Sequence, residues 1–376
     1  MNDSWKSTYW SMNDGKWLGF LGAGLGLLWV FAIGCGPVTE APSAVGMDPT
    51  MPVDSVGHWL DRAHAEGRHA GAVIVFRDGR NLGSWFHGVE RIGGEAVTER
   101  SAFRLASVSK QFTVAGILVA AEQGRLALDD DIRAYLLECP YEGVTVRHLL
   151  QHVSGIPDFY MDLPIPERGF LGIADVVAAL PDAPTAQRKP GEDFEYSNTG
   201  YVLAAAILER VFGQSFEEAM KEHVFAPAGL ECTRVWNLLS EDADFPHKTW
   251  SMDGVGAEAQ EVLPTELDGV AGDGGVFMCA ADVVHWNAWW SGNEMVSDSL
   301  RIQAFEPAIL LSGDTSDYGL GWSIPDGEHV SHTGGWLGAR TFWWRSLDGR
   351  DGVVVFNHTG SEQATAIGEA LVESMW

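Results

Sequence analysis

The stretch Arg104-Leu-Ala-Ser107-Val-Ser-Lys110-Gln-Phe-Thr113 decides how this chain folds and what it can do. It opens a helical run that continues through Val114, Ile117, Leu118 and Ala121, and a three-residue spacing puts Ser107 and Lys110 on one helix face. A serine hydroxyl is a weak nucleophile near neutral pH unless a neighbouring base takes its proton, and a lysine can do so where burial and polar neighbours lower its pKa. Lys110 is placed to be that base. The free amides at a helix N-terminus favour an oxyanion, which makes the Ser107 amide a candidate oxyanion donor. Ser109 sits next to Lys110 and diverges from it by about 100° around the helix, so it reads as helix lining. Taken alone, Ser-x-x-Lys also fits an N-cap serine followed by a solvated lysine.

Two further elements bear on that choice. Phe194-Glu-Tyr196-Ser-Asn198-Thr-Gly-Tyr201 is a polar turn before a helix, where a phenol and a carboxamide two residues apart can face one cleft. His332-Thr333-Gly334 opens a segment of strand character near the C-terminus. The order and spacing of Ser107-x-x-Lys110, Tyr196-x-Asn198 and His332-Thr333-Gly334 resemble the three motifs of class C β-lactamases, penicillin-binding proteins and related serine hydrolases, esterases and D-aminopeptidase-like enzymes among them. Leu149-Leu-Gln-His-Val-Ser-Gly155, Ala271-Gly-Asp-Gly-Gly-Val-Phe277, Tyr318-Gly-Leu-Gly-Trp322 and Gly334-Gly335 extend the resemblance over about residues 54–372.

The resemblance implies an acyl-enzyme on Ser107, with Lys110 and Tyr196 managing the proton and either of them activating the deacylating water. It implies that Asn198, His332, Thr333, Gly334 and Gly335 form the substrate and oxyanion side, that the amides of Ser107 and Gly335 hold the oxyanion, and that no cofactor and no catalytic metal take part. The chain departs from the family pattern at His332, where lysine is usual. A permanently charged lysine suits a substrate carboxylate, as in β-lactams or D-alanyl peptides, whereas a largely neutral histidine suits esters, amides or free amines. Arg340, a few residues on, is the candidate for a replacement cation.

Around these motifs, Ser55 to Arg68 has helical spacing, and an apolar strand, 71–79, is joined at Asp78-Gly79 to a second strand, 82–89. Helical stretches at 146–151, 173–180, 200–212 and 216–223 predict a mainly helical lobe over about 125–265. Strand character returns at 319–324, 329–333, 340–346 and 352–357, and a helix over 361–374 closes the chain. This order predicts an α/β (α+β) fold: an antiparallel sheet flanked by N- and C-terminal helices, with the helical lobe inserted and the active site between the lobes.

The first 35 residues stand apart. Leu18 to Ile33 is an almost uninterrupted apolar run between Lys16 and Gly34-Cys35, the pattern of an export signal. Ala32-Ile33-Gly34-Cys35 resembles the lipobox of bacterial lipoproteins and makes Cys35 the candidate lipidation site; an uncleaved membrane anchor is the alternative. Met-Asn-Asp occurs at both Met1 and Met12, so either can be the start. Residues 36–53 are rich in Pro, Ala and Gly and read as a tether, leaving 54–376 as an extracytoplasmic catalytic domain held at the cell envelope.

Composition narrows the partners. The formal charge is −28, and it is unchanged without residues 1–35, where Asp3 and Asp14 cancel Lys6 and Lys16. Such acidity argues against nucleic-acid binding, which needs a basic footprint. Cys139, Cys232 and Cys279 are scattered, with no Cys-x-x-Cys pair or adjoining histidine cluster, so buried free thiols are expected, with one disulfide permitted. His329 and His332, three apart on a strand, face opposite sides and do not predict a metal site. Gly-x-Ser-x-Gly, His-Glu-x-x-His, phosphate-loop and dinucleotide fingerprints are absent. The expected partner is a small-molecule or peptide acyl substrate, with the membrane engaged through the N-terminal lipid or helix. Two readings stay open beside a serine acyl-hydrolase: a true β-lactamase or D-Ala-D-Ala carboxypeptidase, and a non-catalytic sensor of the same fold.

Overall fold

Alternation along the strands explains the architecture. In the computed structural model, which describes residues 53–160, 163–165, 169–186, 188–239 and 244–376, β1 (Gly71–Arg77) lies deep in a five-stranded antiparallel sheet and is apolar on both faces. The strand order is β2 (Arg80–His87), β1, β10 (Gly352–Asn357), β9 (Ala339–Ser346), β8 (His329–Trp336). Val73, Val75, Val353, Val355, Phe342 and Trp344 point to one face, where α1 (Val53–Ala65) and the C-terminal helix Gln363–Met375 cover them with Trp59, Leu60, Ile367 and Leu371. Ala72, Ile74, Val354, Phe356 and Trp343 point to the other face and join the large core. Because side chains alternate with period two, a strand buried on both faces must be apolar throughout.

That second face carries α2 (Lys110–Glu122), which is buried from Lys110 through Ala120. Around it lie α3 (Val146–Leu150), α4 (Ile173–Ala179), α5 (Asn198–Phe212), α6 (Phe216–Met220) and α7 (Ala280–Ser291), with α8 (Asp298–Arg301) further along the chain. A three-stranded sheet, β3 (Ala102–Arg104), β7 (Val276–Cys279) and β4 (Arg234–Val235), sits beside the start of α2, and β5 (Met252–Asp253) pairs with β6 (Gln260–Glu261). The antiparallel sheet with terminal helices and an intervening helical region is the predicted fold, with α9 (Gln363–Met375) as the closing helix.

Three expectations change. Residues 319–324 are not a strand. Gly321 has φ +74°, and the Gly319 amide bonds the Trp322 carbonyl at 2.8 Å, so the segment turns back on itself. The His329 strand runs on to Trp336, carrying the whole His-Thr-Gly-Gly motif. Cys232 and Cys279 are joined in a disulfide with Cα atoms 5.9 Å apart, and only Cys139 is a buried free thiol among the described residues. Spacing alone does not bring residues 47 apart together; the β4–β7 pairing does. The export segment, Cys35 and the tether through residue 52 lie outside the described residues. Among the described residues no helix is long and apolar enough to cross a membrane.

Candidate active site

Ser107 stands on a short 3-10 turn, Ala106–Ser109, that leads into α2. Three bonds hold this turn. The Leu105 amide donates to the Val276 carbonyl (2.9 Å), Thr341 Oγ1 donates to the Leu105 carbonyl (2.7 Å), and the Val276 amide donates to Ser109 Oγ (3.1 Å). Ser109 is therefore a buried cross-tie between α2 and β7. Ala106 has φ +49°, a left-handed conformation that costs an L-residue about 1–2 kcal/mol and presents the next side chain outward. A Cβ on Gly334 would come within 2.3 Å of both the Leu105 carbonyl and Thr341 Oγ1, so only glycine lets β8 pass this turn.

Lys110 is buried, and its Nζ contacts Ser107 Oγ (3.2 Å), Asn198 Oδ1 (2.9 Å) and the Asp273 carbonyl (2.9 Å). Two of these acceptors are oxygens without a proton. When Nζ is neutral, its two N–H groups satisfy Asn198 and Asp273, and its lone pair faces the Ser107 hydroxyl. The same atoms thus support proton removal and its return. The Asp273 carboxyl is buried beneath this cluster and accepts from the Tyr160 hydroxyl at 3.1 Å; burial raises its pKa and the charge of Lys110 opposes that rise.

The Tyr196-Ser197-Asn198 turn is held from the 152–160 loop. The Asn198 amide donates to Asp158 Oδ2 (2.6 Å), the Ser197 amide donates to His152 Nδ1 (3.1 Å), and Thr199 Oγ1 accepts from the Phe159 amide (2.7 Å). His152 has φ +59°, is buried, and lies 4.2 Å from the Tyr196 ring; burial and then Lys110 keep it well below the usual histidine range. Tyr196 is 40% exposed, with Lys110 Nζ 4.8 Å from its ring centroid. The Tyr196 ring thus lies beside the amine that contacts Ser107.

His332 is held from behind the cluster, its ring 6.4 Å from that of Tyr196. Its Nδ1 donates to the Thr333 carbonyl (2.6 Å), leaving Nε2 to accept from the Tyr318 hydroxyl (2.8 Å), and the ring is 5% exposed. Burial, with Lys110 adding to it, lowers its pKa to about 3, so it is neutral. Strand alternation turns His332 inward, 6.4 Å from the Tyr196 ring between centroids, while Thr333 and Gly335 face out. Arg340 is also committed. Its Nε and Nη2 meet Glu362 at 2.7 Å, and Nη1 donates to the Leu337 and Ala339 carbonyls at 2.8 Å. It lies opposite Gly335 in the β8–β9 register.

His152, Asp158, Tyr160, Asp273 and Tyr318 were not singled out as individual residues from the sequence. Their signal lay in the stretches 149–155, 271–277 and 318–322 and in the 156–169 loop, where local pattern carries no partner information.

The comparisons agree with this geometry. The Beta-lactamase family matches residues 58–373. Penicillin-binding protein 4* of Bacillus subtilis (strain 168) is 35% identical over 291 residues, covering 73% of this chain and 64% of that protein. A D-aminopeptidase of Gluconobacter oxydans (strain 621H) is 27% identical over 312 residues, covering 79% and 57%. The solved octameric penicillin-binding protein homologue from Pyrococcus abyssi superposes with a TM-score of 0.71 at 24% identity, over 86% of this chain and 77% of that one. The chain spans less than two thirds of the length of these two curated relatives. With the match extending over most of the chain, this protein belongs to the Beta-lactamase family.

Proposed function

We propose that the chain is a serine acyl-hydrolase that forms an acyl-enzyme on Ser107 and acts on small esters, amides or peptides at the cell envelope. The observation that carries this reading is the buried Lys110 amine bridging Ser107 Oγ, Asn198 Oδ1 and the Asp273 carbonyl. In the reaction, Ser107 Oγ attacks the acyl carbon as its proton passes to Lys110 or Tyr196. The leaving group takes that proton, and water repeats the sequence in reverse to free the acid. The Ser107 and Gly335 amides hold the oxyanion, and β8, at the edge of its sheet, offers backbone groups to an extended substrate.

A neutral His332 and an Arg340 paired with Glu362 leave no fixed charge from either residue for a substrate carboxylate, which supports neutral acyl substrates. A second reading, acylation by β-lactams, draws on the likeness to a relative named for penicillin binding. Export and tethering draw on the apolar run ending at Cys35 and on the Cys232–Cys279 disulfide, a bond characteristic of oxidising compartments.

Intact-mass analysis of the folded chain with a fluorophosphonate, an activated aryl ester and benzylpenicillin, beside Ser107→Ala, tests the proposal. An adduct absent from Ser107→Ala, together with aryl-ester turnover, supports it. A penicillin adduct without ester turnover favours the second reading. No adduct with any reagent refutes both.

A further inference from the structure

β8 passes the Ser107 turn with one face toward it. His332, Gly334 and Trp336 alternate onto that face, and a Cβ built on Gly334 would meet the Ala106 Cβ at 3.2 Å, one residue before the nucleophile. The two flanking positions differ in their neighbours. At one end the His332 ring lies 6.4 Å from that of Tyr196, which in the proposed reaction stands with Lys110 on the side where the leaving group takes its proton. At the other end, about 7 Å beyond Gly334 at the rise of a strand, Trp336 meets Tyr160 of the 152–160 loop, with ring centroids 5.6 Å apart.

Both rings are held from behind by their polar atoms. The Tyr160 hydroxyl donates to Asp273 Oδ2 (3.1 Å), and Trp336 Nε1 donates to Asp268 Oδ1 (2.9 Å). Both carboxylates are buried, and Asp268 also meets the Arg104 guanidinium. The Asp273 carbonyl accepts from Lys110 Nζ at 2.9 Å, which ties the Tyr160 ring to a residue that touches the Lys110 amine. Phe159 is buried and backs Tyr160, their ring centroids 4.1 Å apart. Tyr160 and Trp336 themselves stay partly exposed. Because their N–H and O–H groups are engaged by the carboxylates, what the two residues offer a substrate is ring face and ring edge. Their planes are tilted by 49°, so a third flat ring can lie on one and meet the edge of the other, the offset and edge-to-face arrangements that aromatic groups prefer.

We infer that Trp336 and Tyr160 form the acyl side of the substrate site and select flat aromatic acyl groups, of the phenylacetyl class, over short aliphatic ones. The inference rests on the acyl-hydrolase reading and gives it a substrate class. A tetrahedral intermediate bonded to Ser107 Oγ, with its oxyanion on the Ser107 and Gly335 amides, has two remaining arms. The leaving group has to face the proton donors at the His332 end of β8, so the acyl arm runs the other way, toward residue 336. There it meets two aromatic residues whose charged neighbours, Asp268, Asp273 and Arg104, are turned to the ring donors and to each other. Burying an apolar ring against them removes its surface from water, a gain that an acetyl group is too small to make.

The test compares 4-nitrophenyl phenylacetate with 4-nitrophenyl acetate on the full chain extracted in detergent, because these esters share a leaving group and differ only in the acyl arm. With each kcat/KM divided by the ester's uncatalysed rate, wild type should favour the phenylacetate by about 10–200-fold, the range an apolar pocket gives for a small apolar addition. Trp336→Leu and Tyr160→Leu should each lower that ratio at least about fivefold, and Tyr160→Phe, which keeps the ring and loses the bond to Asp273, should hold it within about twofold of wild type. A merely structural role for Tyr160 would slow both esters alike and leave the ratio unmoved. Thermal unfolding checks that each variant is folded, and if Trp336→Leu is not, the two Tyr160 variants decide. A wild-type ratio near one overturns the inference and leaves the hydrolase reading standing, as does a ratio that survives both leucine variants. Turnover of neither ester is the failure of the hydrolase reading itself, and the inference falls with it.

Discussion

Breaking the Cys232–Cys279 disulfide separates fold stability from catalysis. The bond closes a loop of 47 residues across the sheet that holds the Ser107 turn. In the chain-entropy description, cross-linking a loop of this length removes about 14 cal/mol/K from the unfolded ensemble, or about 4 kcal/mol at 25 °C. Locally, little should move. Asp282 accepts from the Glu231 and Cys232 amides (3.1 and 3.0 Å) and from Thr233 Oγ1 (2.7 Å), so the turn at 231–233 stays attached to α7 without the bond. The β3–β7 pairing of Ala102 with Cys279 and of Arg104 with Phe277 also remains. Cys232→Ala/Cys279→Ala should therefore lose about 4 kcal/mol in urea unfolding while fluorophosphonate labelling of Ser107 at 20 °C stays within twofold. Non-reducing peptide mapping should find Cys232 joined to Cys279, with Cys139 free to alkylate in the unfolded chain. A loss below about 1 kcal/mol, or alkylation of all three thiols, would refute the reasoning and remove the support this bond lends to an oxidising compartment.

Asn198→Ala removes an acceptor from Lys110, and a hydrogen bond to a charged group contributes about 1.5–3 kcal/mol. Labelling of Ser107 should slow roughly 10- to 150-fold; a change within twofold would mean that the amine is positioned without Asn198. His332, held to about 3 when folded against 6.5 for the free side chain, stays neutral in the fold while the unfolded chain takes up the proton. Its contribution is thus complete above pH 6.5 and is lost as pH falls from there towards 3. His332→Gln should flatten the decline in unfolding free energy between pH 7 and 4.5 by on the order of 2 kcal/mol, and parallel curves for the two proteins would contradict this. Asp268→Asn leaves the buried Arg104 guanidinium without its charge partner, although Trp336 Nε1 keeps an acceptor. A loss of about 3–5 kcal/mol is expected in urea unfolding, and an unchanged midpoint would count against a stabilising role for this pair.

Much of the site was legible in the sequence because its chemistry is carried by residues a fixed number of positions apart on single elements. Ser107, in the 3-10 turn, and Lys110, the first residue of α2, are three positions apart and meet at 3.2 Å, and glycine at 334 is the residue that a close backbone crossing permits. The apolar runs over 71–77 and 352–357 read as strands for the same local reason. What local pattern could not contain was direction and partnership. Which face of β8 His332 occupies depends on how that sheet is covered, and its bonds to the Tyr318 hydroxyl and the Thr333 carbonyl exist only in the folded chain. Arg340 meets Glu362, on the far side of β10 in sequence, a partner that spacing along the chain does not reveal. The disulfide and the cradle of His152, Asp158 and Asp273 join residues tens to hundreds of positions apart. Their contacts exist only once the sheet has closed, because strand order and register, rather than spacing along the chain, determine which side chains become neighbours.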